Sequence, residues 1–226
     1  MILRQSSENF WPAYRVLVGR LLRPLGKSGG CSEKRVSDAE RRLGRRLPRL
    51  LREFYLITGE REDINGVHNR LLAPEDLRVS GDVLVFYEEN QGACFWGVDV
   101  HDPANEDPAV FREDSVASPM WDPDFDHLSQ FFIAMLFMQA VNGGMRHGGV
   151  GSATSANIAQ APSEWEIISL GSSWNNRVLM RDGQVLYIFG NEPAPEVFGG
   201  AKTKQKFRDL ERTFGVSWDY CTLDDE

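Results

Sequence analysis

The chain has 226 residues, enough for one large domain or two small ones with a buried core, and its 42% hydrophobic and 26% charged residues are the composition of a folded protein rather than a disordered one. Its net charge of −8 is unevenly spread: residues 1–60 hold thirteen Lys/Arg against six Asp/Glu, a net of +7, and residues 61–226 hold twelve against twenty-seven, a net of −15. Most of such a chain repels nucleic acid and attracts a basic protein, mainly by raising the association rate.

Residues 1–8 lack the basic start, apolar run and small-residue cleavage site of a secretory signal. The longest apolar run, residues 131–138, is far short of the roughly 20 residues that span a bilayer. Cys31, Cys94 and Cys221 are odd in number and far apart, which favours reduced thiols in cytosol over a disulfide framework. A cytoplasmic protein away from membranes is the expectation.

A first helix is expected over residues 8–24, because Tyr14, Leu17, Val18, Leu21, Leu22 and Leu25 recur at three- and four-residue steps. Glycines at 26, 29 and 30 break it. A second helix is expected to start at Ser37, which stands at capping-box spacing from Glu40. Gly44 interrupts and Pro48 restarts the pattern, and Leu47, Leu50, Leu51, Phe54 and Ile57 form the next apolar face up to Gly59. Arg41, Arg42, Arg45, Arg46, Arg49 and Arg52 flank that face. With no aromatic or polar base-reader among them, they read as a solvated helix surface rather than a nucleic-acid stripe.

From Val83 the chain turns to β-branched and aromatic residues. Residues 83–88 and 93–98 read as a hairpin closed by Glu89-Asn90-Gln91-Gly92, and residues 110–112 as a shorter strand. Residues 99–126 read as an acidic, loop-rich stretch. A helix is expected over residues 128–141, apolar on every side and so buried between a sheet and other helices. Gly143-Gly144 ends it, and residues 148–162, rich in Gly, Ser, Ala and Thr, read as a flexible linker. Residues 165–170, 177–181 and 184–189 read as strands, the last two joined by an Asp182-Gly183 turn. An amphipathic helix follows over residues 202–214, and residues 224–226 are expected to fray.

The motifs offer little chemistry. Asp122-Pro123-Asp124-Phe125-Asp126 has the alternating acids of a calcium loop but puts His127 where a Gly is needed and Ile133 where a bidentate Glu is needed. The glycine-rich run at residues 143–151 lacks the Gly-Lys-Ser/Thr ending of a phosphate loop and follows a helix rather than a strand. His68, His101, His127 and His147 have no zinc-ligand spacing with one another or with any cysteine. Glu88 and Glu89 are adjacent on a strand and point to opposite faces, so they do not converge as an acid–base pair. Neither a cofactor nor a metal is expected.

Ala39-Glu40-Arg41-Arg42-Leu43-Gly44-Arg45-Arg46-Leu47-Pro48, continuing through Phe54-Tyr55 to Gly59, resembles the opening pattern of the SMI1/KNR4, or SUKH, superfamily. Leu71-Leu72-Ala73-Pro74-Glu75-Asp76-Leu77, the run from Leu84 to Val98, Asp107-Pro108-Ala109-Val110 and Leu128-Ser129-Gln130-Phe131-Phe132 follow in that family's order. The similarity covers about residues 37–141. It implies an α+β fold, a mostly antiparallel sheet packed against several helices, in one domain over residues 1–226. The helix at 8–25 and the strands and helix at 165–214 would be elaborations of the same sheet. It also implies binding rather than catalysis, since many bacterial members are immunity proteins for toxins, often nucleases, and fungal members are regulatory scaffolds.

The expected function is therefore neutralisation of a basic toxin domain by occlusion. Asp99, Asp102, Glu106, Asp107, Glu113, Asp114, Asp122, Asp124 and Asp126 are the expected partner-facing acids, with Trp121 as an anchor. Trp96 is a weaker anchor because it reads as core. A regulatory scaffold without a toxin partner is the alternative, and a small-ligand binder or enzyme, using a cleft between the sheet and residues 145–226, is a third.

Overall fold

The structure is a computed structural model that describes residues 7–102, 104–114, 120–170, 176–190 and 193–223. The expected frayed tail at 224–226 lies outside the described residues, as do residues 1–6. The fold is α+β, built as two antiparallel sheets that meet across one buried helix.

Three helices open the chain: α1 (Ser7–Leu21), α2 (Glu33–Leu43) and α3 (Arg49–Thr58). The α2 helix starts four residues before the expected Ser37. Ser32 is its N-cap and accepts from Arg35 N at 3.3 Å, so the free backbone donors are already satisfied there. Glu40 does not close a capping box. Its Oε1 instead accepts from Leu47 N at 3.0 Å and bridges the α2–α3 turn. Gly44 ends α2 at φ +68°, a left-handed value that costs a glycine little. A short helix α4 (Glu62–Asn65) leads into the first sheet.

That sheet contains β1 (Arg70–Leu71), β2 (Arg78–Ser80), β3 (Val83–Glu88), β4 (Cys94–Asp99), β5 (Val110–Asp114) and β6 (Trp121–Phe125). Its order is β1-β3-β4-β5-β6, with β2 also paired to β3. The expected hairpin is β3–β4. The stretch 99–126 is less loop-like than expected, because β6 pairs with β5 and forms the sheet's outer edge. Pro123 has no N–H to offer a further strand, which blunts that edge.

Helix α5 (Leu128–Gln139) is the centre of the molecule, with ten buried residues on all its sides. Phe132 stacks on Phe54 of α3 at a centroid distance of 3.6 Å, while Phe131 meets Phe86, Tyr87 and Trp96 of the first sheet edge-on or tilted at 5.1–5.8 Å. A wide turn over Ala140–Gly144 ends the helix, with Gly143 at φ +120°.

Residues 145–226 do not add strands to the first sheet. They build a second one from β7 (His147–Ser152), β8 (Glu166–Ser169), β9 (Arg177–Arg181), β10 (Gln184–Phe189), β11 (Glu196–Ala201) and β12 (Ser217–Cys221), in the order β12-β7-β11-β10-β9-β8. Helix α6 (Ser155–Ala159) follows β7, and α7 (Lys204–Phe214) precedes β12. Both faces of this sheet are covered, as the alternation along β9 and β10 shows. Val178, Met180, Val185 and Tyr187 join the core around α5, whereas Leu179, Leu186 and Ile188 join Phe207, Leu210 and Phe214 of α7.

The expected linker at 148–162 is the largest correction. Residues 147–152 form a strand paired on both sides, and residues 155–159 form a helix capped by Thr154. The glycines are there because neighbours approach too closely for side chains. Gly151 lies against the Ser217 backbone, and Gly199, on β11, lies beneath the Trp218 ring. β11 and β12 were not expected as strands, β11 because its Gly199-Gly200 hides the pattern.

Candidate functional site

A cavity of about 250 Å³ lies where the two sheets meet beside α5. Cys94, Trp96, Arg112, Asp124 and Phe125 form its first-sheet wall, and Tyr187, Phe189 and Asn176 its second-sheet wall. Met135 and Met138 on α5 form the floor, and His68, Asn69 and Glu89 the lip. It is a mostly apolar recess with a few polar groups, the usual makeup of a small-molecule site.

The lip is tied to the end of α5 by Gln139, which is fully buried. Its Oε1 accepts from His68 N at 2.8 Å, and its Nε2 donates to Tyr87 Oη at 2.9 Å and to the Asn69 carbonyl. Glu89 shapes the β3–β4 turn by accepting from the backbone N–H groups of Gln91 and Ala93 at 2.8 and 3.1 Å. On the first wall, Trp96 Nε1 donates to Asp124 Oδ2 at 2.9 Å, with both residues buried. On the second, Asn176 Nδ2 donates to Tyr187 Oη at 3.1 Å, and Asn176 Oδ1, also buried, has no partner.

The cavity's titratable groups are pushed toward their neutral forms. Burial drives the Cys94 thiol up to about 12 and the Tyr187 phenol well above its ordinary value, and it draws the His68 imidazole below its own. A thiol held protonated is a poor nucleophile. The recess is chemically suited to holding a neutral group.

The expected partner-facing acids do not form one patch. Strand register divides them between the two ends of β5, four residues and roughly 13 Å apart. Asp99, Asp102, Glu106, Asp107 and Asp126 lie at the end where Val110 pairs with Val98 and Phe125, near the start of α5. Glu113, Asp114, Trp121 and Asp122 lie at the other, where Asp114 pairs with Cys94 of the cavity wall. Asp124 sits between them and is turned inward, only 8% exposed.

Several of these acids already have work inside the fold. Asp107 caps α5 by accepting from Ser129 N at 2.8 Å and Ser129 Oγ at 2.7 Å. Glu106 pairs with Arg49 at 3.2 Å, and Arg112 pairs with Asp114 at 2.9 Å. Asp99 accepts from the backbone N–H and ring of His101, which holds its carboxyl below the usual range. Asp102 is exposed and turns the loop through Ala104 N at 3.2 Å. Glu113, Asp122 and Asp126 have no ion-pair partner among the described residues, and Asp122 and Asp126 are exposed. Trp121 is half-buried against the core, whereas Trp96 is core, as expected.

The arginine-rich helices are largely tied down too. Arg41 pairs with Asp38, Arg49 with Glu53 and Glu106, and Arg52 with Glu33 and Glu40, while Arg42 donates to the carbonyls of Pro74 and Leu77. Arg45 and Arg46 remain exposed. Among the described residues, no three His, Cys, Asp or Glu side chains are grouped to hold a metal ion, and no helix is long and apolar enough to cross a membrane. Cys31, Cys94 and Cys221 are all free and buried.

The cavity is the part of the site that sequence reasoning did not locate by residue. Its walls come from segments some eighty positions apart, and only the third apolar face of α5, carrying Met135 and Met138, hinted at a second layer. No protein-family model, curated protein or solved structure matches the chain.

Proposed function

We propose that this chain is a non-catalytic, cytoplasmic protein-binding module of the SMI1/KNR4 kind, an immunity-type protein that neutralises a basic toxin domain by occlusion. The observation behind the reading is the mismatch in how charge is used. The arginines of the first sixty residues are mostly consumed in internal pairs, while Glu113, Asp122 and Asp126 on the rim of the first sheet are left without ion-pair partners among the described residues. The outward field at that rim is therefore acidic, which suits a nuclease surface built to bind phosphate. Trp121, half-buried on the same edge strand, supplies an aromatic anchor beside Asp122. The protonated Cys94 thiol in the cavity fits binding better than nucleophilic chemistry, and three free, buried cysteines agree with a reducing compartment.

The test uses the tagged protein as bait in lysate of its source cell at low and moderate salt, beside an Asp122→Lys/Asp126→Lys variant. One basic protein should be retained by the wild type, released by salt and held far less by the variant. Co-expression of the wild type should then restore growth to cells poisoned by that protein. Retention indifferent to the variant, or a retained protein without toxicity, overturns the immunity reading, and the second result turns it toward a regulatory scaffold.

A further inference from the structure

We infer that the cavity between the two sheets is a binding site for a small, neutral, planar aromatic molecule that carries one N–H or O–H donor, the donor being received by Asn176 Oδ1. This inference is independent of the protein partner proposed above.

Three features define the ligand. The two walls present aromatic rings toward each other, Trp96 and Phe125 from the first sheet and Tyr187 and Phe189 from the second, with the thioethers of Met135 and Met138 between them. Aromatic rings and sulfur favour a flat aromatic guest over a branched aliphatic one. A volume of about 250 Å³ lies below the roughly 300–1,000 Å³ of drug-sized sites, which limits the guest to one or two rings.

The polar groups fix its charge and orientation. Arg112 is paired with Asp114, and Asp124 receives the Trp96 indole, so neither offers a fresh counter-charge to an ion. A charged guest would have to shed its water against a largely apolar lining. Glu89 and Asp124 add negative charge to the lining and exclude anions in particular. Asn176 is 6% exposed, and its amide is half-used: Nδ2 is engaged by Tyr187 Oη, while Oδ1 has no partner. A buried acceptor left unpaired is costly, so a guest that donates to it gains over one that does not.

Calorimetric titration of the intact protein with indole, indene and benzofuran isolates this feature. The three share a shape, but indole offers an N–H donor, benzofuran only an acceptor and indene neither. Indole should bind saturably and about tenfold or more tighter than indene, the fold-change expected when one buried acceptor is satisfied. Asn176→Leu should reduce indole to the level of indene, and Tyr187→Phe, which keeps Oδ1 in place, should preserve the preference. If Asn176→Leu does not fold, the ranking on the wild-type protein decides by itself. Equal binding of indole and indene, or no saturable binding of any probe, overturns the inference and leaves Oδ1 to an ordered water. Tighter binding of benzofuran also overturns it, because the amide would then present its N–H₂ to the cavity.

Discussion

Trp96 and Asp124 are hydrogen-bonded at 2.9 Å across the intervening strand β5, so the buried edge of the first sheet is closed by a carboxylate on an indole. Asp124 was expected to face a partner with Asp122 and Asp126, yet its neighbours on β6 show how differently the same residue type is used two positions apart. Asp124→Ala should lower unfolding stability by about 1–3 kcal/mol by leaving the indole N–H unsatisfied, and Asp124→Lys should cost more by burying an unpaired charge. Asp122→Lys, on the exposed rim, should stay within about 0.5 kcal/mol of the wild type. Urea unfolding of the three variants checks this, and equal costs at 122 and 124 would mean that the indole contact contributes nothing.

Gly151 separates a strand from a linker. A Cβ there would overlap the backbone of Ser217 on β12, and backbone cannot rotate away. Gly151→Ala should therefore destabilise the protein by about 2 kcal/mol or more, whereas Gly26→Ala, which meets nothing within 4 Å, should stay within about 0.5 kcal/mol. A flexible linker at 148–162 would instead leave both substitutions neutral, and the urea midpoints distinguish the two cases.

Gln139 is expected to be more than a core filler. Gln139→Leu leaves the His68 N–H, the Asn69 carbonyl and the Tyr87 hydroxyl without their present partner, at an expected total of about 3 kcal/mol. The His68 amide should also exchange faster with solvent, since the cavity lip loses its tie to α5. Unchanged exchange at His68 would show that the lip is held from elsewhere.

Glu75 gives the fold an acid-sensitive contact. Arg35 grips its carboxylate through Nε and Nη2, both at 2.8 Å, and this holds the carboxyl down at about 2 against an ordinary 4.5. A carboxylate with a lowered folded value contributes stability above its unfolded value and loses it as the pH falls through the folded one. The difference between the wild type and Glu75→Gln should thus hold steady above about pH 5, shrink from about 4.5 to about 2 and vanish below. Glu75 is 57% and Arg35 38% exposed, so solvent screening should keep the difference within about 1 kcal/mol. Urea unfolding across that range reads it directly, and a difference that grew toward low pH would have the wrong sign for this contact.

The sequence by itself determined what local periodicity records. The apolar faces of α1, α3 and α7, the all-round apolarity of α5 and the β3–β4 and β9–β10 hairpins were legible because burial repeats with the period of the element. The acidity of 99–126 was legible too, since charge is a property of composition. Tertiary structure decided the rest. Whether a glycine run is slack or a packed strand depends on what lies over it, and the neighbours of β7 come from β11 and β12, about fifty and seventy residues later. Whether an aspartate faces water or an indole depends on strand register, which put Asp124 inside and Asp122 outside. The cavity needed both sheets to meet across α5, because Trp96 and Asn176 become neighbours only when a core of long-range contacts has closed around that helix.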